Sequence, residues 1–326
     1  MQHLNHQDDQ ALDSVKARAK IKLERDLGPV IMAALADPKT VEIMLNSDGT
    51  LWQERLGEKM RPIGALSASR SESIIKTLAG YHGKEITKGR PLIECELPLD
   101  GSRFAGQFPP IVPAPTFAIR KKAVAIYTLD QYVAADIMTT AQLVIIEAAI
   151  NNHRNILVTG STGSGKTTLV NAIINQMVVF DPSERIVIIE DTGEIQCAAE
   201  NFVQYHTTLD ISMTLLLRTS LRMRPDRILV GEVRGPEALD LLMAWNTGHE
   251  GGAATLHANN ARAGLSRLAQ LISMHSDAPK HIEPLIAEAV QCVIHIARTP
   301  EGRRVAEIVE ILGYEDGKYL TQTVGA

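Results

Sequence analysis

Apolar residues near the start of the chain recur at three- and four-residue steps. Leu12, Val15, Ala19, Leu23 and Leu27 share one stripe, while Lys16, Arg18, Lys20, Lys22 and Arg25 take the other faces. This period predicts an amphipathic helix from about Asp9 to Ala36. The pattern then shortens to that of strands. Thr40 to Leu45 and Leu51 to Leu56, joined across Asn46-Ser47-Asp48-Gly49, predict a β-hairpin. A helix is expected to start behind Ser67 and to end near Gly80. Short strands follow, separated by Pro91, Pro98, Asp100-Gly101 and a cluster at Pro109, Pro110, Pro113 and Pro115. This first part reads as α+β.

After about Ala135 the pattern changes. A helix over Thr140 to Asn151 leads into the apolar run Ile156-Leu-Val-Thr159. Further apolar strands are expected at Ile186–Ile189, Ile228–Val230 and Ala253–Leu256, with helical stretches between them. Alternation of this kind implies an α/β fold with a mostly parallel sheet covered on both faces. The expected division is an α+β N-terminal domain over 1–132, a linker over 133–139 and an α/β domain over 140–326. No internal repeat or low-complexity tract interrupts it.

Composition narrows the class. The chain has 326 residues, room for two domains with separate cores. Hydrophobic residues at 45% and charged residues at 22% are ordinary for a globular protein. A net charge of −5 provides no general field for nucleic acid, and 4% aromatic residues leave few side chains to stack bases. Both argue against direct nucleic-acid binding. The three cysteines, Cys95, Cys197 and Cys292, are widely spaced, which fits a reducing compartment and no zinc ribbon. The first thirty or so residues lack the apolar core of a signal peptide, and no apolar run approaches the ~18 residues of a membrane span. The cytoplasm is the default expectation.

The candidate chemistry begins at Gly160-Ser161-Thr162-Gly163-Ser164-Gly165-Lys166-Thr167-Thr168. It follows a predicted strand and opens into the helical Leu169-Val-Asn-Ala-Ile-Ile174, with the G-x(4)-G-K-T spacing of a P-loop. Backbone N–H groups wrap an anion where side chains stay clear of it. The helix N-terminus adds partial positive charge, Lys166 a full one, and the Thr167 hydroxyl a ligand for Mg2+. A nucleoside triphosphate is the expected ligand.

Two further strands end in acids. Arg185 to Ile189 delivers Glu190 and Asp191, and Ile228 to Gly231 delivers Glu232 in the manner of a Walker B strand. Ligands bind beyond the carboxyl ends of parallel strands, so one carboxylate can orient or deprotonate water while another supports the Mg2+ shell through water. Thr247-Gly-His249 and Thr255-Leu-His257-Ala place two histidines eight residues apart. No third ligand at useful spacing makes them a metal site; a phosphate-sensing or interface role competes with a structural one. Arg218 and Arg222 share a helix face, where they could reach a neighbouring subunit's nucleotide or form an ordinary interface salt bridge.

In combination these segments are distinctive. The P-loop, the Ile-Glu-Asp strand end, Leu221 to Arg234 with its Gly-Glu-x-Arg, and Thr247 to Ala258 with its paired histidines occur in that order. The chain thereby resembles the secretion-superfamily traffic ATPases of type IV secretion, type II secretion and type IV pili. A compact N-terminal part and the absence of a tetracysteine insertion make it most similar to the conjugal-transfer ATPases of the type IV branch. The resemblance implies a hexameric ring of RecA-like C-terminal domains, each with a PAS-like N-terminal domain. It implies that ATP and Mg2+ are held at Lys166 and Thr167, that Glu190 is the catalytic base, and that Glu232 supports Mg2+ and water. It also implies that His249 and His257 form a histidine box, and that Arg103 and Arg120 of the N-terminal domain close over the nucleotide. The implied function is ATP hydrolysis that energises assembly or substrate transfer in a conjugative type IV secretion system, peripheral to the inner membrane and in contact with its channel components. A RecA-like nucleic-acid motor and a nucleotide-gated scaffold with little turnover are the alternatives. The basic N-terminal helix reads as a solvated face, diluted by Asp8, Asp9, Glu24 and Asp26, with contact to anionic lipid as the second reading.

Overall fold

The computed structural model describes residues 2–56, 58–122, 127–208 and 210–325, without the side chains of residues 2–13. Leu12, Asp8 and Asp9 therefore lie outside the described side chains. The chain divides into two compact units, Met1–Val124 and Ala125–Ala326.

The first unit holds α1 (Gln2–Ala36), β1 (Thr40–Leu45), β2 (Thr50–Arg55), β3 (Arg61–Ala65), α2 (Ala68–Tyr81), β4 (Leu92–Glu96), β5 (Arg103–Gln107) and β6 (Thr116–Arg120). The strands make one antiparallel sheet in the order β3-β2-β1-β6-β5-β4. Leu23, Leu27 and Ile31 of α1 and Ile74, Ile75 and Leu78 of α2 pack with Ile43, Phe104 and Ile119 of the sheet. The predicted helical stripe is only partly used, because Val15 is exposed while Leu23 and Leu27 are buried. The helix also breaks at Gly28, where φ is 73°, and Pro29 starts the next helical turn.

Alternation along the strands puts Glu42, Arg103 and Arg120 on the sheet face opposite this core. The register aligns Glu54, Glu42, Arg120, Arg103 and Glu96 in one row across five strands. Two arginines stand side by side there, with glutamates beyond them.

The second unit holds α3 (Leu129–Ala134), α4 (Thr140–Asn151), β7 (Ile156–Gly160), α5 (Lys166–Phe180), β8 (Ile186–Glu190), β9 (Phe202–His206), α6 (Met213–Ser220), β10 (Arg227–Val230), α7 (Glu237–Trp245), β11 (Ala253–His257), α8 (Ala261–Ile272), α9 (Ile282–Ala289), β12 (Cys292–Thr299), β13 (Gly302–Glu315) and β14 (Lys318–Val324). The sheet runs β14-β13-β12-β7-β11-β10-β8-β9, parallel from β12 to β9, with β13 and β14 added antiparallel. Successive strand residues serve opposite faces. Val187, Ile189, Ile228 and Val230 pack with α6 to α9, whereas Ile186, Ile188 and Leu229 pack with α3 to α5. Continuous apolar runs are the sequence mark of strands buried on both sides.

The stretch expected as a linker, 133–139, is structured within this unit. Thr128 and Gln131 form a capping box on α3, and Thr139 and Gln142 form one on α4. Tyr132 and Met138 are buried in the core beneath. The division into units accordingly falls at Val124/Ala125.

Candidate active site

The loop between β7 and α5 closes on Gly165, whose φ of 101° suits glycine and directs the chain into the helix. Lys166 is 7% exposed, and its ammonium donates to Gly160 O at 3.2 Å and Ser161 O at 3.1 Å. His257 Nδ1 lies 3.2 Å from the same Nζ, so each N–H of the ammonium has an acceptor. Burial depresses the lysine's affinity for its proton, while Glu232 and Glu194 restore part of it.

Thr167 Oγ1 donates to Glu194 Oε2 at 3.1 Å. The loop that carries Glu194 is tied down by Asn171, which accepts from Gln196 N at 3.1 Å. Glu190, 2% exposed, accepts from the N–H groups of Glu194 and Ile195 at 2.9 Å each through Oε1 and from Gln204 Nε2 through Oε2. Burial raises its pKa, and these donors oppose the rise. Charge-assisted bonds of this kind contribute about 1.5–3 kcal/mol apiece. Glu190 thus anchors the acidic loop through three N–H donors. Glu194 is the carboxylate of this loop that reaches the P-loop.

Glu232 follows β10 and belongs to the same edge. Gly231 before it leaves room for Glu190: a Cβ there would stand 3.0 Å from Glu190 Cγ. Glu232 Oε2 accepts from Arg234 NH2 at 2.7 Å, and Arg234 NH1 reaches Asp191 Oδ2 at 3.2 Å. His257 Nε2 is 2.8 Å from Glu232 Oε1. Burial pushes the Glu232 pKa up, but Arg234, His257 and Lys166 together hold it below the usual carboxylate range. Burial also lowers the His257 pKa, with Lys166 and Arg234 adding to the shift and Glu232 opposing it. A neutral imidazole can accept at Nδ1 from Lys166 while its Nε2 stays close to Glu232. Cation, histidine, acid and arginine form one chain along the sheet edge.

The histidines do not form one cluster within the chain. His257 ends β11 in register with Gly160. His249 precedes that strand, and its Nδ1 lies 3.1 Å from Pro225 O. Five residues of extended strand, about 16 Å, separate the two ends of β11 within the chain. Arg218 pairs with Asp240 of the same chain at 2.8 Å. In the first unit Arg120 NH2 is 3.3 Å from Glu42 Oε2, and Arg103 is its cross-strand neighbour.

The edge fits a magnesium-bound triphosphate. Mg2+ keeps most of its waters and takes one or two protein oxygens beside the phosphates; Thr167, Glu194 and Glu232 offer oxygen donors near Lys166. Sequence reasoning missed Glu194 and Arg234 as site residues, although both stood inside the quoted motifs, because only the fold shows which acid of the loop turns back toward α5.

Residues 103–322 match the family described as type II/IV secretion system protein. The chain is 47% identical over 298 residues to a probable conjugal transfer protein TrbB of Sinorhizobium fredii, with 91% of each covered. It is 33% identical over 310 residues to the type IV secretion system protein PtlH of Bordetella pertussis, covering 85% of this chain and 90% of that one. Among solved structures, the ATPase DotB of Legionella pneumophila aligns over 90% of this chain and 78% of its own at a TM-score of 0.57, with 20% identity, a likeness of fold.

Proposed function

The chain belongs to the type II/IV secretion system protein family, and from that premise we propose that it is the ring-forming ATPase of a conjugative type IV secretion apparatus. One observation carries the reading. Lys166 Nζ, His257 and Glu232 stand in contact, at 3.2 and 2.8 Å, beside the P-loop at the carboxyl edge of a parallel sheet.

In this mechanism Lys166 exchanges its carbonyl and imidazole acceptors for β- and γ-phosphate oxygens. Thr167 and Glu232 support Mg2+, the latter through water, and Mg2+ when bound neutralises charge that develops on the transferred phosphoryl group. Glu190 acts as the catalytic base for the attacking water, and Glu194, on Thr167, fixes the same loop beside the P-loop for in-line displacement. His257, released from Lys166 by the arriving phosphate, reports occupancy to Glu232 and Arg234. Arg103 and Arg120 supply further positive charge to the nucleotide, from the same chain or a neighbouring copy.

The RecA-like and PAS-like descriptions of the two units, the hexamer, and work at the cytoplasmic face of the inner membrane against channel components belong to the same proposal. Among the described residues no helix is long and apolar enough to cross a membrane, which is compatible with peripheral attachment there. The basic N-terminal helix is read as a solvated face, with contact to anionic lipid as the second reading.

Steady-state ATPase activity against protein concentration, with mass from light scattering, tests it. Specific activity should rise as a roughly hexameric species forms, and Lys166→Ala should remove it. Activity independent of assembly, or none in an assembled ring, refutes the ring motor.

A further inference from the structure

Strand β12 runs parallel to β7, and their paired register ends at His295 opposite Thr159. β12 continues to Thr299 before turning into β13 at Gly302. About four residues, or ~13 Å of strand, therefore overhang the edge from which the P-loop springs. This overhang carries Arg298 and Arg303 directly opposite each other. Like charges so placed are destabilising unless something negative lies between or beside them.

Nothing in the hairpin supplies that negative charge. Neither arginine has a carboxylate partner among the described residues, and Glu301 in the turn is bonded to Thr299. Arg303 instead lies against the P-loop. Its Nε is 3.4 Å from Gly163 O, and a Cβ on Gly165 would stand 3.0 Å from its Cδ. Its guanidinium thus sits at the lip of a loop whose ligand is anionic.

Sheet order says which part of that ligand it meets. The sequence of strands is β13-β12-β7-β11-β10. Glu232 and His257 lie on the β11–β10 side of the P-loop, so the γ-phosphate and its water belong on that side. The hairpin lies on the other side, toward which the nucleoside end of a bound nucleotide must extend.

We propose that Arg298 and Arg303 form a second phosphate-binding prong, which holds the nucleoside-proximal phosphates of the nucleotide against the outer lip of the P-loop. The proposal rests on the nucleotide-binding reading of the site and adds to it. Because the α- and β-phosphates are common to ADP and ATP, the prong contributes to both affinities alike. Charge-assisted hydrogen bonds to phosphate give the guanidinium an advantage over an ammonium at such a position.

The test is equilibrium binding of ADP and of a non-hydrolysable ATP analogue to the full-length protein, its Arg298→Ala/Arg303→Ala variant and Lys166→Ala, each checked by thermal melting. The double variant should raise both dissociation constants by a common factor on the order of 10-fold, with Arg303→Lys intermediate. Unchanged constants, or a rise for the ATP analogue alone, overturn the prong. Those results differ from failure of the underlying reading, in which the wild type binds neither nucleotide or Lys166→Ala binds both as well as wild type. That failure overturns the prong too.

Discussion

Lys166 meets its ligand with every N–H already satisfied, and His257 is the acceptor that can be given up at least cost. A neutral imidazole loses one contact and keeps Glu232 at 2.8 Å, whereas the carbonyls of Gly160 and Ser161 are fixed in the loop. The arrangement depends on that neutrality, since an imidazolium beside the ammonium would repel it. The His257 pKa is depressed in the fold, chiefly by burial. Stability from a depressed histidine is fully present above the unfolded value, about 6.5, and is lost as pH falls through the folded value. His295 is also depressed by burial and adds to the same trend. Melting temperature should thus fall as pH drops below about 6.5, and more steeply in the wild type than in His257→Gln. Equal slopes in the two proteins would remove His257 from the account.

Elements are held in place by polar ties as well as by apolar faces. Arg227 is 2% exposed and enters β10 with its Nε on Glu184. Its NH1 donates to Gly251 O at 3.0 Å and its NH2 to Ile150 O at 3.3 Å. One side chain therefore joins β10, the end of α4 and the turn into β11, all at the edge opposite the P-loop. Glu184→Ala strands a buried guanidinium and should lower unfolding stability by about 3–5 kcal/mol, read from urea midpoints. A Glu184→Leu/Arg227→Met pair should lose much less, and the reverse order would contradict the tie. In the first unit, the β1, β6, β5 and β4 ladder aligns Arg120 and Arg103 between Glu42 and Glu96. Arg120→Ala removes a guanidinium from this exposed row without disturbing the core. It should leave nucleotide binding measurable while lowering turnover by about 10³-fold or more. Near-normal hydrolysis would exclude Arg120 from the site.

Across the whole molecule, the apolar clusters separate by unit. Leu23, Ile74 and Phe104 belong to a core wholly within the first, and the two faces of the large sheet are filled wholly from the second. A fragment of residues 125–326 should therefore unfold cooperatively by itself. On the proposed role of Arg103 and Arg120, it should bind nucleotide but turn it over slowly. Calorimetry and a single-turnover assay check the two halves of that expectation, and a fragment without a cooperative transition would refute the first.

Much of this is legible in the sequence. The hairpin at Thr40–Arg55, the helix after Ser67, the strand–loop–helix at Gly160 and the strands ending at Glu190 and near Glu232 each follow from local periods and turn residues. Local pattern suffices there, because a buried strand or an amphipathic helix must carry its burial in its own residues. The pattern is silent where the deciding partner is remote in sequence. Residues 133–139 look like a spacer until Tyr132 and Met138 are seen in the core of the second unit. Glu190 and Glu194 are indistinguishable as strand-end acids until three N–H donors occupy the one and Thr167 meets the other. His249 and His257 are close in sequence, yet within one chain an extended strand holds them at opposite ends. Residues and their spacing determine which chemistry is available. Hydrogen-bond partners and strand order, set by contacts between distant segments, decide which side chain performs it.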